Sequence, residues 1–481
     1  MDRSPANLFG ALLLGALVAL SPGWMAETSA TLFVYRLGGA EDLPEPEFPE
    51  NWDVEFVSLP WTPVDEDRFG RALLVETADG SIGPERMDPT VNLTPTLRER
   101  PGGWIKSSDG YGFEDEPQLD FLFDGDPSTA YDGGGSHYKG GSSCSSRLPR
   151  SQCGANRNLP GSNSKAIWLS LGGAFPIHLI RMYPTPKYFD ERPVKSFLIG
   201  TSDGDPLKEG TRDMNFYWRS GPLNFNLRHI MLENTVPLLE LDMGNVPARH
   251  IFFETIVGKW EVAEIEIYAS GFAPEATYVS NILDLGAPAS LGTLTWSGSR
   301  DEGAVVELTV RNGSDTDPNV YWRNTFRGEE RSRFDASGKP LTRDAYFDLE
   351  TGERGGIAPD TRNWDFWTPP LDFDQGEDRL VANLPRRFIQ FSANFLSQRP
   401  VQAGSRLDYI EFTVSKPPIV SELAAEITPV QVQSGETVRF AYTLLPEFGE
   451  DDLGFDSIEI DTPARAASVD TVILSSPTDT S

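Results

Sequence analysis

Short apolar runs, each closed by turn residues, recur along most of this chain. Ile167-Trp168-Leu169-Ser170-Leu171 is closed by Gly172-Gly173, and further runs follow at 177–182, 197–199, 238–241 and 251–253. In the run at 263–268, Ala263, Ile265 and Ile267 share one face and Glu264 and Glu266 the other. That is the period-two pattern of a half-buried strand. A second set lies at 305–310, 388–391 and 407–414, and a third begins near the alternating run 438–444. No long helical pattern interrupts them, and 44 Gly with 38 Pro punctuate the chain densely. The pattern predicts an all-β chain of tandem antiparallel β-sandwiches.

The breaks between runs suggest domain limits. Residues 31–110 hold extended pieces at 31–37, 54–59 and 72–76 among many Pro, Asp and Glu, and read as an irregular N-terminal region. A first sandwich is expected over 111–272. After a linker near 271–277, a second is expected over 278–415. Lys416-Pro417-Pro418 marks the next break, and 419–481 reads as a partial Ig-like β domain or a truncated tail.

Charge narrows the partners. Lys+Arg total 41 against 72 Asp+Glu, a formal net charge of −31. A phosphate backbone needs a basic face, so nucleic acid is excluded as an expected partner. Docking on anionic lipid is disfavoured for the same reason. At the N-terminus, Arg3 precedes an uncharged apolar stretch over 8–20, then Pro22-Gly23 and the small residues Thr28-Ser29-Ala30. This reads as a secretory signal peptide over 1–30. The stretch is shorter than the ~20 residues that span a bilayer, so no membrane span is expected once it is removed. The expected location is secreted or at the cell surface, in a bacterium. The cysteines, Cys144 and Cys153, sit in a Gly/Ser-rich stretch with little core to order it. In an exported chain the expectation is a disulfide between them.

Three motifs in the middle of the chain carry a resemblance. They are Phe123-Asp124-Gly125-Asp126-Pro127-Ser128-Thr129-Ala130-Tyr131, then Ile167-Trp168-Leu169-Ser170-Leu171-Gly172, then Val262-Ala263-Glu264-Ile265-Glu266-Ile267-Tyr268. In this order they resemble the early turn, the middle strand and the closing strand of the discoidin family, also called coagulation factor 5/8 type C or galactose-binding-like domains. Tyr131 stands where that family usually has Trp, and Ser170 where it usually has Asp. The resemblance implies a jelly roll over about 111–272 that binds glycan through loops at one end.

The acidic turn also has a chemical reading. Ca²⁺ takes six to eight oxygen ligands, several of them anionic. Gly125 permits a sharp turn, and Asp124, Asp126 and Thr129 supply oxygens. The resemblance adds Glu264 and the backbone carbonyls of Phe121 and Ala263, giving a structural Ca²⁺ site that pins the sandwich edges together. For the glycan, His137, Tyr138 and Trp260 are the expected contacts. Tyr138 and Trp260 would stack on sugar faces and His137 would bond a hydroxyl.

Signatures of catalysis are weak. Gly200-Thr201-Ser202-Asp203-Gly204 matches G-x-S-x-G, but Asp-Gly-Asp-Pro follows where a nucleophile elbow needs a helix. The four histidines, His137, His178, His229 and His250, form no H-E-x-x-H. Asn92-Leu93-Thr94 and Asn312-Gly313-Ser314 are sequons by pattern. The expectation is an exported, non-catalytic protein that binds cell-surface or extracellular glycan. Two alternatives stand beside it: an accessory binding region of a secreted polysaccharide-degrading enzyme, and a structural or adhesive surface protein without a small ligand.

Overall fold

The computed structural model describes residues 31–474 apart from 41–42, 50–51, 64–70, 109–112, 115–116, 133–164, 205–211, 216–221, 256–259, 326–329, 351, 381–383, 434–435, 450–451, 456–457, 459, 461 and 463–466. The signal-peptide segment, His137, Tyr138, Cys144 and Cys153 lie outside the described residues. What is described is almost entirely strand, in several open sheets, as the apolar pattern predicts. No helix among these residues is long and apolar enough to cross a membrane.

The expectation of an irregular N-terminal region is corrected. Strand β1 (Thr31–Gly38) pairs antiparallel with Ser405–Lys416 along its whole length and parallel with β2 (Val54–Leu59). Further on, 71–72 pairs with Glu275–Val279, and Ile82 pairs with Leu407. The first fifty-odd residues after Ala30 therefore belong to the same sandwich as 275–416. The apolar set that joins them includes Tyr35, Leu37, Trp61, Tyr278, Phe391 and Phe412. Leu283–Arg300 links the layers of this sandwich. Its start pairs with Arg386–Ser397 and the rest with Ser405–Lys416.

The other sandwich is inserted into this host. It begins after Pro84 and ends at Ala273, and its core is a separate cluster built from residues 87–273. The two crossings lie side by side: Met87 pairs with Gly271, and the Ala273 N–H donates to the Glu85 carbonyl at 2.8 Å. Gly271–Phe272 and Glu275–Val279 are thus paired strands where a linker near 271–277 was expected. Leu73 packs against both cores, directly over Gly173.

Inside the insert, two apolar runs prove to be one long strand, Lys165–Tyr183. A bulge at Gly172-Gly173 shifts its register between Ser170 and Phe175. Gly172 has φ +81°, and a Cβ there would lie 2.7 Å from the Pro101 carbonyl oxygen, so only glycine fits. The bend lets one strand line the core twice, through Ile167, Leu169 and Leu171, then through Ile177, Ile180 and Met182. Its first half pairs with Gly103–Ser108 and its second half with the closing strand Glu264–Ala269. Both halves pair with Leu239–Thr255, which likewise merges two runs.

Residues 319–359 form a small excursion from the host. It contains a three-stranded sheet and the five-residue helix Arg343–Phe347 around Tyr321, Leu341 and Tyr346. Beyond Pro418, the strands Glu422–Thr428 and Ala441–Glu447 make a two-stranded ribbon in which no side chain is buried. The second sequon is part of the packed host: Asn312 is only 6 % exposed.

Candidate functional site

The acidic turn and the closing strand meet at one edge of the inserted sandwich. The 3-10 turn Pro117–Leu122 buries Leu119 and Leu122, and this fixes the start of the loop that follows. Gly125 sits at φ +73°, reversing the chain between the two aspartates. Asp124 then organises the loop. Its Oδ1 accepts the Asp126 N–H at 2.9 Å, and its Oδ2 lies 2.8 Å from the Thr129 hydroxyl. From the other side, Ile265 and Ile267 are buried in the core, so alternation turns Glu264 and Glu266 outward.

Glu264 is held close to Asp124. Its Oε1 is buried and has no hydrogen-bond partner among the described residues. Burial, with the Asp124 carboxylate as the next cause, raises its pKa to about 7; the Gly125 N–H opposes this. Two carboxylates in contact need either a shared proton or a cation. This orphaned oxygen is what the Ca²⁺ expectation requires. The donor set fits as chemistry: carboxylates of Asp124 and Glu264, the Thr129 hydroxyl, and the Phe121 and Ala263 carbonyls, all hard oxygens. Asp126 fits less well. Its Oδ1 accepts both the N–H and the hydroxyl of Ser128, at 2.8 and 2.7 Å, which hold its pKa below the usual carboxylate range. No cluster of three acidic, His or Cys ligands occurs among the described residues.

A second polar group on the same strand was not singled out from the sequence. The hydroxyls of Tyr183 and Tyr268 both donate to Glu266 Oε2, each at 2.9 Å. Burial, then Glu266, pushes the Tyr183 phenol up to about 12. Arg181 lies over the Tyr268 ring at 5.4 Å and bonds Glu240. The alternation that exposes Glu264 also exposes Glu266 and Tyr268, and that was the available signal.

The expected sugar contact at Trp260 is corrected. Its side chain is 0 % exposed and packs 6.0 Å from the ring centroids of both Tyr131 and Phe253. A face already covered by core aromatics cannot stack on a sugar. Tyr131, in place of the family's usual Trp, supplies part of that cover. The expected contacts His137 and Tyr138 lie outside the described residues.

Ser202 of the G-x-S-x-G match ends the strand Phe197–Ser202, and His250 is its cross-strand partner. Ser202 Oγ accepts the Gly204 N–H at 3.1 Å. Burial, then Arg249, lowers the His250 pKa to about 4. An imidazole this weak is a poor proton acceptor near neutral pH. In the host, Trp364 is buried, and its Nε1–H donates to Asp315 at 2.8 Å.

The sequence matches no family model and no curated protein. Among solved structures, it is similar to a CBM32 module from Clostridium perfringens in complex with GalNAc-β-1,3-galactose, at 14 % identity and a TM-score of 0.23, over 37 % of this chain and 100 % of that one. It is also similar to the family 32 CBM of C. perfringens NanJ in complex with galactose, at 12 % identity and 0.22, over 37 % and 97 %. A third is a Streptococcus pneumoniae fucose binding module, at 10 % identity and 0.22, over 37 % and 98 %. At these values none of them assigns a ligand to this chain.

Proposed function

We propose that this is an exported, non-catalytic protein whose inserted sandwich binds cell-surface or extracellular glycan. The observation that carries the reading is the meeting of Asp124 and Glu264. The discoidin resemblance rests on motifs more than a hundred residues apart, and it requires that pair to share one site. On this reading a structural Ca²⁺ is held by Asp124, Glu264 and Thr129 with the carbonyls of Phe121 and Ala263. Asp126 shapes the turn through Ser128. The ion neutralises the facing carboxylates and ties the early turn to the closing strand. Recognition falls to the loop carrying His137 and Tyr138, which the Cys144–Cys153 disulfide would brace. A shallow site for one sugar offers few contacts, so the affinity for a monosaccharide should be weak, with a Kd of about 0.1–1 mM.

A glycan array probed with the full chain tests the class. Hits shared by a terminal sugar type, and weakened in Tyr138→Ala without a change in melting, support the reading. An array without hits would leave a structural or adhesive surface role.

A further inference from the structure

The outer edge of the host sheet carries a feature that glycan binding does not use. Strand β2 ends the sheet; among the described residues it pairs only with β1. Its other side therefore presents backbone N–H and C=O groups that a further strand could pair. Beside it lies a cleft of about 240 Å³. Val34, Val54 and Phe56 form its floor, on the sheet face opposite the host core. Pro46, Phe48 and Trp52, from the connection between β1 and β2, form its wall. The Phe48 and Trp52 rings stack at 6.0 Å, and Trp52 remains 41 % exposed at the rim.

Charge says what fits. Glu45 lines the cleft and is exposed, and Glu47, exposed as well, sits beside it between the lining residues Pro46 and Phe48. The cation at its base, Arg36, is 7 % exposed. It is held by Glu411 and by the carbonyls of Leu43 and Pro44, and it lies 4.8 Å from the Phe56 ring. Arg36 anchors the connection and leaves the rim carboxylates unneutralised. A second copy of this chain is a poor occupant, because it brings the same acidic edge and a formal charge of −31.

We propose that β2 and this cleft receive an extended, basic segment of a partner protein. Its backbone adds a strand along Val54–Leu59. A Lys or Arg side chain enters the cleft, with its stem on Val54 and Phe56 and its charge between Trp52 and Glu45. Backbone pairing gives the segment its register, and the acidic aromatic cleft gives it its sign.

The test uses the full chain and a capped, fluorescein-labelled decapeptide of alternating Val and Arg, at about 0.15 M salt, where charges more than about 8 Å apart are screened. The expected Kd is about 10–100 µM. Three changes should each weaken it by about tenfold or more: Trp52→Ala, Glu45→Lys, and N-methylation of alternate peptide amides, which blocks strand pairing. Glu350→Lys, an equal charge change in the 319–359 excursion, should leave it within about twofold. The same peptide with Glu for Arg should not bind. Equal binding by the N-methylated peptide would overturn the strand addition. An equal loss in Glu350→Lys would reduce the effect to net charge. No binding by the basic peptide would reject the proposal, and self-association of the chain, lost in Trp52→Ala, would give the face to a second copy.

Discussion

The host and inserted sandwiches handle their buried charges differently. In the host, cations find partners within the chain. Arg36 meets Glu411 at 2.7 Å, and Lys416 lies 3.4 Å over the Phe33 ring and donates to the Leu285 carbonyl at 2.9 Å. In the insert, Asp124 and Glu264 face each other, and the buried Glu264 Oε1 has no hydrogen-bond partner among the described residues. Buried charge is stable when paired and costly when not. The insert pairs its buried Glu261 with Arg192 in the same way, so the contrast lies at Glu264, which faces a second carboxylate instead of a cation. The two share few ties, chiefly the paired crossings at 85–87 and 271–273 and the contact of Leu73 with both cores.

The largest effect should come from breaking the host alone. Deleting residues 31–59 removes both β1 and β2 from the edge of Ser405–Lys416, exposing Val414 and Phe412. The host melting transition should disappear from a calorimetric scan while that of the insert persists. Conversely, excising 86–272 and closing the gap with a short Gly linker should leave the host folded, because Glu85 and Ala273 already touch. Loss of both transitions in either variant would make the two sandwiches one cooperative unit.

Within the insert, Trp260→Ala should cost about 3–5 kcal/mol, as truncation of a buried aromatic does. Urea unfolding followed separately for each sandwich reads this directly. A variant that folds normally but loses glycan binding would return Trp260 to the recognition surface.

These expectations also show what the sequence could and could not say. Local pattern was enough for part of the insert, but the expected start at 111 missed its core residues Leu93, Leu97 and Ile105 and the strand Gly103–Ser108. The alternation at 263–268 placed Glu264 and Glu266 outward, and the Gly-containing turn put Asp124 where it bonds Asp126 and Thr129. The host's N-terminal half was not legible, because β1 finds its partner some 375 residues later. No short-range pattern encodes the pairing of Leu37 with Ile410. Trp260 was misplaced for a related reason: an aromatic beside charged neighbours looks the same in a loop or a core until Tyr131 and Phe253 are brought against it. The basic counterpart of Glu411 was likewise invisible until β1 carried Arg36 to it.

Acid should weaken the insert through His250. Its folded pKa of about 4 lies below the ordinary 6.5, so the unfolded chain binds the proton more readily. Stability from this group is fully present above pH 6.5. It falls as pH drops toward 4, by about 3 kcal/mol at most. Chemical denaturation at pH 7 and pH 4 should show the loss in wild type and a smaller one in His250→Gln. An equal loss in both would assign the acid sensitivity to other groups.

The comparison sharpens most at the ion. A ligand bound only by the folded state stabilises it by RT ln(1 + [L]/Kd), about 2.7 kcal/mol at a hundredfold excess over Kd. Chelation should therefore lower the melting temperature of the insert and leave the host unchanged. Asp124→Asn and Glu264→Gln should each remove that response for different reasons. Asp124→Asn takes away the carboxylate that also organises Asp126 and Thr129, so it should lower stability even with chelator present. Glu264→Gln removes the facing charge, so the chelated variant should be as stable as chelated wild type or more so, since the repulsion with Asp124 is gone. Asp126→Asn keeps an oxygen for the Ser128 turn and should retain most of the Ca²⁺ response. If chelation leaves the wild-type melt unchanged, the two carboxylates share a proton instead, and Glu264→Gln should then stabilise the insert at pH 7 with or without Ca²⁺.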